Sequence, residues 1–481
     1  MIPEDRVYDG NFPIPKLLID KEDIVRFMEE FKGFHAQFAD CFSREEPRVN
    51  FYQYMAGQMS QLERKSIEPI ALNVEGAKAR AMQHFLSDVV WEEERILSRY
   101  HSMVSEDLGD AEGVLIFDES GFVKKGNDSV GVSRQYCGNV GKVENCQVGV
   151  YAAYASRHGY GFLDSRLFIP EKWFGEGYAE RGKKCRLPAE SFFKTKPQLA
   201  VEMLEKIACE GVIPFRYVAA DSIYGNSPEF LDAVEKVPGV TYLVALPRDT
   251  LCWLRGPAIL EKSYRYAGEK RTKRILAETE KNPVTFEKIA RGTNDYFWYR
   301  RTVSEGTKGP VTYEFMKKRV VLSKDGQPDR KVWLIVRRGL GDGATYSYFI
   351  SNAGRSTRLK TFVWLSGVRW AIEQCFEEAQ SDLGMDHYEV RKFPGWRHHM
   401  LTCMLAHFFL WHMRIRLGEK APAITLSRIR LLISVVLPIK KFDTLDLIDL
   451  ISWIQMKNHR AYLSHRKRKL AALKVSSYVS L

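Results

Sequence analysis

The stretch "GVLIFDESGFVKKGNDS" at residues 113–129 decides the fold class, because it places a carboxylate, Asp118, directly after an apolar run. An apolar run of this length, followed by Gly and charged residues, is typical of a buried strand that ends there. A second stretch, "FRYVAADS" at 215–222, has the same form and ends on Asp221. In open sheets covered by helices, ligands bind beyond the carboxyl ends of the strands. We therefore expect Asp118 and Asp221 to meet at such an edge, although an Asp after a strand is also typical of a turn or a helix cap.

The segments around these two carboxylates predict an α/β core. Two further strands, "CQVGVYAAYASR" and "YGFLDSRLFIP", are separated only by His158 and Gly159, which indicates a hairpin. A helical stretch, "KPQLAVEMLEKIAC", leads to the strand that ends on Asp221, and a short helix and the strand "TYLVALP" follow. The order is thus three strands, a helix and a strand, as expected of a mixed sheet with helices on its faces.

The flanking regions differ from this core. Residues 20–108 have helical periodicity, which Pro47 and Pro69 should break into several short helices and one long one. Residues 248–355 read as a strand-rich insertion, and residues 356–383 as one helix capped by Ser356 or Thr357 and closed by Gly384. The chain therefore divides into a helical N-terminal domain (1–108), the first part of the core (109–247), a β-rich insertion (248–355), the last core helix (356–400) and a helical, basic C-terminal region (401–481).

The helix predicted after the insertion offers a third carboxylate. Arg369 and Glu373 are four residues apart and share a helix face, with Glu377 one turn further on. Two or three carboxylates that face one another need a cation between them, and hard oxygen ligands of this kind suit Mg²⁺ or Mn²⁺. Glu377 and Glu378 are rivals of Glu373 for this position. Arg369 and Glu373 are also compatible with an ordinary exposed ion pair.

Five stretches together resemble the DDE transposases of bacterial insertion sequences, in particular the branch with a strand-rich insertion before the last acid. These stretches are "FDESGFVKKG", "SVGVSRQYCGNVGKVENCQVGV", "VAADSIYG", "RWAIEQCFEEAQSDLGMDHYEVR" and "GWRHHM". The resemblance implies an RNase H-like catalytic core in which Asp118, Asp221 and Glu373 form the DDE triad and bind two divalent cations, Mg²⁺ or Mn²⁺. It also implies double-stranded DNA as substrate, with cut-and-paste cleavage and strand transfer at terminal inverted repeats, a DNA-binding role for residues 1–108, and a homodimer on DNA.

The resemblance is incomplete at the family's Tyr-Arg-Glu-Lys signature. Arg369 and Glu373 fall on its Arg and Glu positions, but Ser366 stands at the Tyr position and Gln380 at the Lys position. Lys392 and Arg391 are candidates for the missing phosphate contacts. Two alternatives stay open: a nuclease with the same core but no strand transfer, and a noncatalytic DNA-binding protein derived from a transposase.

Two segments that follow the carboxylates are candidates for DNA contact, because Lys and Arg meet phosphates and interleaved aromatic rings stack on bases. Residues 121–142 combine basic side chains with five glycines, and residues 387–400 mix basic and aromatic side chains. Solvated lysines and a packed Trp are the alternatives. The predicted DNA-binding residues are Lys124, Lys125, Arg134, Arg369, Tyr388, Arg391, Lys392, Trp396 and Arg397. The resemblance implies that the insertion helps to hold transposon-end DNA, with an aromatic residue stacked on a displaced base. The alternative is that the Trp residues of the insertion belong to the core, and the sequence does not single one out.

Charge and cysteine usage suit a cytosolic protein with a polyanionic partner, and the resemblance implies the bacterial cytosol, in association with the nucleoid. The formal net charge is +12, which favours a polyanionic partner, and residues 451–481 contain seven Lys or Arg and no Asp or Glu. The eight cysteines include no CxxC pair, and the N-terminal "MIPEDRVYDG" has no apolar signal core. The longest apolar stretch, at 400–413, is too short to span a membrane and predicts a buried helix.

Overall fold

The computed structural model describes residues 17–267, 269–277, 282–306, 309–341 and 343–472. Two of the expectations above concern segments that lie outside the described residues. These segments are the N-terminal "MIPEDRVYDG", which has no apolar signal core, and the last part of the basic tail, 473–481. Within the described ranges, the chain is a mixed α/β structure with one large mixed sheet and many helices.

Helices alone precede the first strand in the described chain, as the sequence predicts. They are α1 (Lys21–Ala36), α2 (Glu45–Met59), α3 (Ile67–Asn73), α4 (Ala79–Ser87) and α5 (Glu93–Leu108). Pro47 and Pro69 lie in the first turns of α2 and α3, where a missing N–H costs nothing, so each proline begins a helix rather than separating two. The one long helix, predicted over "GAKARAMQHFLSDVVWEEERILSRYHSMV" at 76–104, is wrong, because α4 and α5 are separate helices.

The central segment contains four strands before its long helix, one more than predicted. Its elements are β1 (Val114–Val123), β2 (Ser133–Cys137), β3 (Lys142–Ser156), β4 (Gly159–Phe168), α6 (Ala179–Lys184), α7 (Lys196–Glu210), β5 (Tyr217–Ala220), α8 (Ser222–Gly225), α9 (Pro228–Lys236) and β6 (Thr241–Leu246). The extra strand, β2, pairs with β3, and the glycines around it obscure its pattern in the sequence. The predicted hairpin between β3 and β4 is confirmed.

The core of the sheet has the strand order β4–β3–β1–β5–β6. Strand β1 pairs antiparallel with β3 and parallel with β5, and β5 pairs parallel with β6. The first four residues of β1 are fully buried, which accounts for their apolar run. The expectation that this strand ends at Asp118 is wrong, because β1 continues to Val123 along β3. What ends next to Asp118 is the parallel pairing, whose last pair is Phe117 with Ala220.

Residues 248–355 are rich in strands, as predicted. The elements are β7 (Leu251–Trp253), β8 (Ile259–Tyr266), β9 (Glu269–Leu276), β10 (Val284–Thr285), α10 (Phe286–Arg291), β11 (Tyr299–Gly306), β12 (Gly309–Lys324), β13 (Gln327–Arg338) and β14 (Tyr346–Ser351). Strand β14 pairs antiparallel with β6, so that β14, β13 and β12 extend the core sheet. The sheet is therefore continuous across the boundary at 247/248, and the division into domains stays a prediction.

Helices complete the described chain. They are α11 (Leu359–Val368), α12 (Trp370–Leu383), α13 (Phe393–Leu417), α14 (Leu426–Ser434) and α15 (Thr444–Ala472). The single helix predicted over 356–383 is wrong, because it is broken at Arg369, and its N-cap is Arg358 rather than Ser356 or Thr357. Gly384 closes α12 in the left-handed conformation, at φ 70°, as predicted.

The apolar stretch at 400–413 lies in α13 and is almost wholly buried, which confirms the prediction of a buried helix. Aromatic rings of α1 pack on this helix, with Phe34 and Phe409 centroids 5.1 Å apart. Among the helices described, none is long and apolar enough to cross a membrane. All eight cysteines are free thiols.

Candidate active site

Asp118 and Asp221 lie side by side at the edge where β1 and β5 stop pairing. Asp118 follows Phe117, the last residue of β1 that pairs with β5, and Asp221 follows the last residue of β5. Asp221 Oδ1 accepts a hydrogen bond from the Ile223 N–H at 2.9 Å, so the same carboxylate caps α8. The structure thus brings together the two carboxylates that the sequence predicted to meet, and Asp221 is both a helix cap and a member of the cluster.

Glu119 is a third carboxylate at this edge, and sequence reasoning missed it. One carboxylate oxygen each from Asp118, Glu119 and Asp221 lie within 4.8 Å of one another. Glu119 Oε1 is 2.8 Å from Lys196 Nζ, and Glu119 Oε2 accepts a hydrogen bond from Tyr224 OH at 3.1 Å. Strand alternation would place neighbours 118 and 119 on opposite faces. The adjacent acids in "FDES" were the available signal, but interactions with distant residues bring Glu119 to the cluster.

Arg369 connects the sheet to the helix that carries Glu373. Its Nη1 lies 2.9 Å from Asp118 Oδ2, and its Nη2 lies 2.6 Å from Glu373 Oε1. The predicted pairing of Arg369 with Glu373 on one helix face is therefore confirmed. Glu373 is half exposed and does not belong to the three-carboxylate cluster, so it reaches Asp118 only through the guanidinium.

The two rivals of Glu373 lie elsewhere on α12. Glu377 is exposed. The Glu378 carboxylate is turned toward β4 and α13, where it accepts a hydrogen bond from Tyr160 OH at 2.9 Å and lies 2.8 Å from His407 Nε2. Of the three glutamates, Glu373 is the one linked to Asp118.

The cluster carries negative charge that the protein only partly compensates. Burial raises the pKa of Asp118 to about 7; Arg369 opposes this shift, and the charges of Asp221 and Glu119 add to it. Burial also raises the pKa of Asp221, with Glu119 as the next cause. A divalent cation would relieve this repulsion, and carboxylate oxygens are the ligands that Mg²⁺ and Mn²⁺ prefer. The carboxylates of Asp118, Asp221 and Glu119 are therefore suited to bind a hard cation. Glu373 lies outside this cluster and lines the cavity next to it.

A large cavity of about 1210 Å³ opens beside the carboxylates. Asp221, Arg369 and Glu373 line it on the core side. On the other side it is lined by residues of β12, β13 and β14, among them Arg337. The cavity connects the carboxylates to the strands of the predicted insertion.

The two residues that depart from the Tyr-Arg-Glu-Lys signature are engaged within the protein. The Ser366 hydroxyl donates to the Val363 carbonyl at 2.8 Å, although Ser366 also lines the cavity. The Gln380 amide donates to the Ser120 hydroxyl at 3.1 Å, next to the cluster on β1. Gln380 thus tethers α12 to β1.

The predicted DNA-binding residues other than Arg369 fall into two groups, of which the first is packed inside the protein. Tyr388 and Trp396 are buried, and Lys124 Nζ donates to the Tyr388 carbonyl at 3.0 Å and lies 3.3 Å from its ring centroid. Burial lowers the pKa of Lys124 to about 7. Lys392 forms an ion pair with Asp88, and Arg397 forms one with Glu93. In this conformation, none of these side chains is freely displayed to a partner.

The second group of predicted DNA-binding residues is exposed. It consists of Lys125, Arg134 and Arg391. Arg391 lies 3.5 Å from the carboxylate of Asp128, whose own side chain is also exposed. DNA binding by either group stays a prediction.

Two comparisons with known proteins bear on this site. Residues 37–310, more than half of the chain, match a family described as "DDE superfamily endonuclease". This range includes Asp118 and Asp221 and ends before Glu373. The chain is also 30% identical over 226 residues to a "Probable transposase for insertion sequence element IS701" of Microchaete diplosiphon, which covers 46% of this chain and 54% of that protein. The chain thus spans about half the length of this curated relative.

Proposed function

The chain belongs to the DDE superfamily endonucleases, and on this premise we propose that it is a DNA transposase. It binds the terminal inverted repeats of its insertion sequence, cleaves them in a metal-dependent reaction and transfers the cut strands to target DNA by a cut-and-paste mechanism. Its relative, a probable insertion-sequence transposase, supports this proposal.

One observation carries the proposal: the partly buried carboxylates of Asp118 and Asp221 converge at the end of a parallel strand pair, with Glu373 joined to Asp118 through Arg369. The strand order β4–β3–β1–β5–β6, in which β3 is antiparallel to β1 and the strands β1, β5 and β6 are parallel to one another, supports an RNase H-like core. In this core, Asp118 and Asp221 are the sheet acids of a DDE triad, and Glu373 is the helix acid.

Each part of the site has a role in phosphoryl transfer. Asp118, Asp221 and Glu373 would hold two cations, Mg²⁺ or Mn²⁺, which would supply a strong nucleophile at neutral pH and stabilise charge on the leaving oxygen. Arg369 orients Asp118 and Glu373 toward each other. The cavity beside them accommodates the DNA strand, whose phosphates meet the basic side chains around it.

The proposed partner is double-stranded DNA, both transposon ends and target. The net charge of +12 supports a polyanionic partner, and Lys125, Arg134 and Arg391 are exposed and can reach phosphates. Since two ends are joined in one reaction, the proposed DNA complex contains a homodimer. The proposed location is the bacterial cytosol, in association with the nucleoid.

Cleavage of a duplex that carries the inverted repeats flanking the gene tests this function. We expect nicking at the repeat ends with Mg²⁺ and none with EDTA. Asp118→Asn, Asp221→Asn and Glu373→Gln should each slow cleavage by about 10³-fold, because each removes several kcal/mol of charge stabilisation. Glu377→Gln, on the exposed face of the same helix, is the matched control and should keep near-normal activity. Full activity in Glu373→Gln would contradict its assignment as the third acid.

Precut ends separate transposition from nuclease action alone. A transposase joins a precut 3′ end to target DNA, whereas a nuclease with the same core releases fragments and joins nothing. A wild-type protein that binds DNA but neither nicks nor joins it would be a noncatalytic relative.

A further inference from the structure

Arg337, on β13, is a partly buried arginine that has no carboxylate partner among the described residues. Its guanidinium carbon lies 4.7 Å from the ring centroid of Tyr313 and 5.6 Å from that of Phe349. Its Nη2 donates one hydrogen bond, to the Ser347 hydroxyl at 3.3 Å. The rings and the hydroxyl fix the position of the side chain, but they leave its positive charge and most of its donors unpaired.

Arg338, the next residue on the same strand, differs from Arg337 because it forms ion pairs with two carboxylates. Its Nη2 lies 2.8 Å from Asp295 Oδ1 and 2.9 Å from Glu314 Oε2, and its guanidinium carbon lies 4.2 Å from the Trp298 ring centroid. Successive residues of a strand point to opposite faces. Arg337 lines the cavity and Arg338 does not, so it is the arginine on the cavity side that lacks an anion.

Of the other arginines that line the cavity, Arg369 lies next to the carboxylates, and its charge is balanced differently. Arg369 is paired with Asp118 and Glu373. Burial lowers the pKa of Arg337, and the positive charge of Arg369 acts in the same direction. The charges of Tyr313 and Glu373 oppose this shift. A planar guanidinium held in such a place without a carboxylate is suited to bind an oxyanion with two parallel hydrogen bonds.

We propose that Arg337 binds a backbone phosphate of the DNA strand held at Asp118, Asp221 and Glu373, an inference that rests on the proposed function. The phosphate supplies the ion-pair partner that Arg337 lacks among the described residues. This interaction takes the place of those expected from the Tyr and Lys of the signature, since Ser366 and Gln380 are hydrogen-bonded to the protein itself. The strands added to the core sheet therefore contribute a substrate-binding residue to the active site.

The test combines substitutions of Arg337 with a scan of the substrate. Arg337→Ala and Arg337→Lys are compared with wild type and with Arg338→Lys, the matched control one residue away. Binding to the repeat-end duplex is measured in EDTA as a function of salt, and cleavage is measured separately with Mg²⁺. Substrates carry one uncharged methylphosphonate at each position in turn around the cleavage site. Circular dichroism checks that each variant is folded.

The expected results are specific. Arg337→Ala should weaken binding, lower the slope of log K against log salt by about 0.9 because one phosphate is no longer neutralised, and slow cleavage by about 10²-fold. Arg337→Lys should recover only part of this activity, whereas Arg338→Lys should stay near wild type. At one position, methylphosphonate should weaken binding of the wild type and of Arg338→Lys but not weaken binding of Arg337→Ala further.

Three outcomes would overturn the inference. In the first, the methylphosphonate profiles of wild type and Arg337→Ala are the same. In the second, the slope of log K against log salt is unchanged in Arg337→Ala. The third is a wild type that does not bind the duplex, which would overturn the proposed function as well.

If the wild type binds with the expected phosphate dependence but does not cleave, the proposed function alone fails, because the binding scan needs no catalysis. If Arg337→Ala does not fold, Arg337→Gln, which removes the charge but keeps a long polar side chain, replaces it, and a methylphosphonate profile identical to that of the wild type would again contradict phosphate binding by Arg337.

Discussion

Arg369 Nη1 lies 2.9 Å from Asp118 Oδ2, so a cation of the protein itself occupies one side of the buried carboxylate. The same guanidinium holds Glu373. Arg369 lies at the break between α11 and α12, and it holds the side chain of Glu373 toward Asp118. Arg369 therefore both competes with a metal for Asp118 and keeps Glu373 close to it.

Arg369→Ala should change metal binding and cleavage in opposite directions, because Arg369 both competes with a metal at Asp118 and links Glu373 to Asp118. Removal of a positive charge next to Asp118 should strengthen Mg²⁺ binding, measured as the metal concentration that raises the midpoint of thermal unfolding. The cleavage rate at saturating Mg²⁺ should nevertheless fall by about 10- to 100-fold, because Glu373 is no longer linked to the sheet. Lys360→Ala, an exposed change on α11, should alter neither quantity. An equal decrease in Mg²⁺ binding and in cleavage would contradict this separation.

The raised pKa of Asp118 should make the metal-free protein less stable as the pH rises. Its folded pKa is about 7, above the ordinary value of 3.8, so the folded state binds this proton more tightly than the unfolded state does. This contribution to stability is fully present below about pH 4 and is lost as the pH rises through about 7. Asp118→Asn cannot titrate. In EDTA, its midpoint of thermal unfolding relative to wild type should therefore increase from pH 5 to pH 8.

A difference between Asp118→Asn and wild type that does not change with pH would contradict the raised pKa. Added Mg²⁺ supplies a second check. It should stabilise the wild type at pH 8 more than at pH 5, because the carboxylates bind the cation when they are ionised.

Local sequence patterns were sufficient to find Asp118 and Asp221, because an apolar run followed by a carboxylate indicates a buried strand with a polar group next to it. They were not sufficient to see that β1 continues past Asp118. That depends on the unequal lengths of its two partners, since β3 follows β1 to Val123 and β5 stops beside Phe117. Pairing between segments that are distant in sequence leaves no local signal.

Contacts between segments that are distant in sequence also explain why sequence reasoning missed the roles of Glu119 and Arg337. Glu119 belongs to the cluster because Lys196 and Tyr224 hold its carboxylate, and both are at least 77 residues away. Arg337 faces the cavity because β14 pairs with β6 and thus extends the core sheet. By contrast, the pairing of Arg369 with Glu373 follows from helical spacing alone and was predictable.

Glu119→Gln should weaken the metal site without abolishing it. Both Glu119 oxygens already have protein partners, so we expect its charge to support the cation rather than to dominate its binding. The apparent affinity for Mg²⁺ in cleavage should fall by about 10-fold, within the range for groups that act on a site through its ligands. Glu112→Gln, at an exposed glutamate just before β1, is the control. An effect as large as that of Asp118→Asn would make Glu119 a principal ligand.

Glu378 should matter for stability and not for chemistry. It accepts a hydrogen bond from Tyr160 and pairs with the fully buried His407. Glu378→Ala leaves both without their partner and should lower the free energy of unfolding by about 2 to 4 kcal/mol, as measured by urea denaturation. Glu377→Ala, one residue earlier and exposed, should change it little. A Glu378→Ala protein of normal stability that no longer cleaves DNA would make Glu378 a candidate for the third acid again.

The exposed helix α15 should add to DNA affinity through charge alone. Its C-terminal half carries a basic run, Arg466 to Lys469, which is fully exposed. With no acidic residue in 451–481 to neutralise it, this run should bind phosphates without reading sequence. Replacing the four residues with Gln should reduce the slope of log K against log salt by up to about 0.9 for each phosphate that is no longer neutralised. Affinity should fall equally for repeat-end and unrelated duplexes. A selective decrease for the repeat ends would instead mean that α15 recognises their sequence.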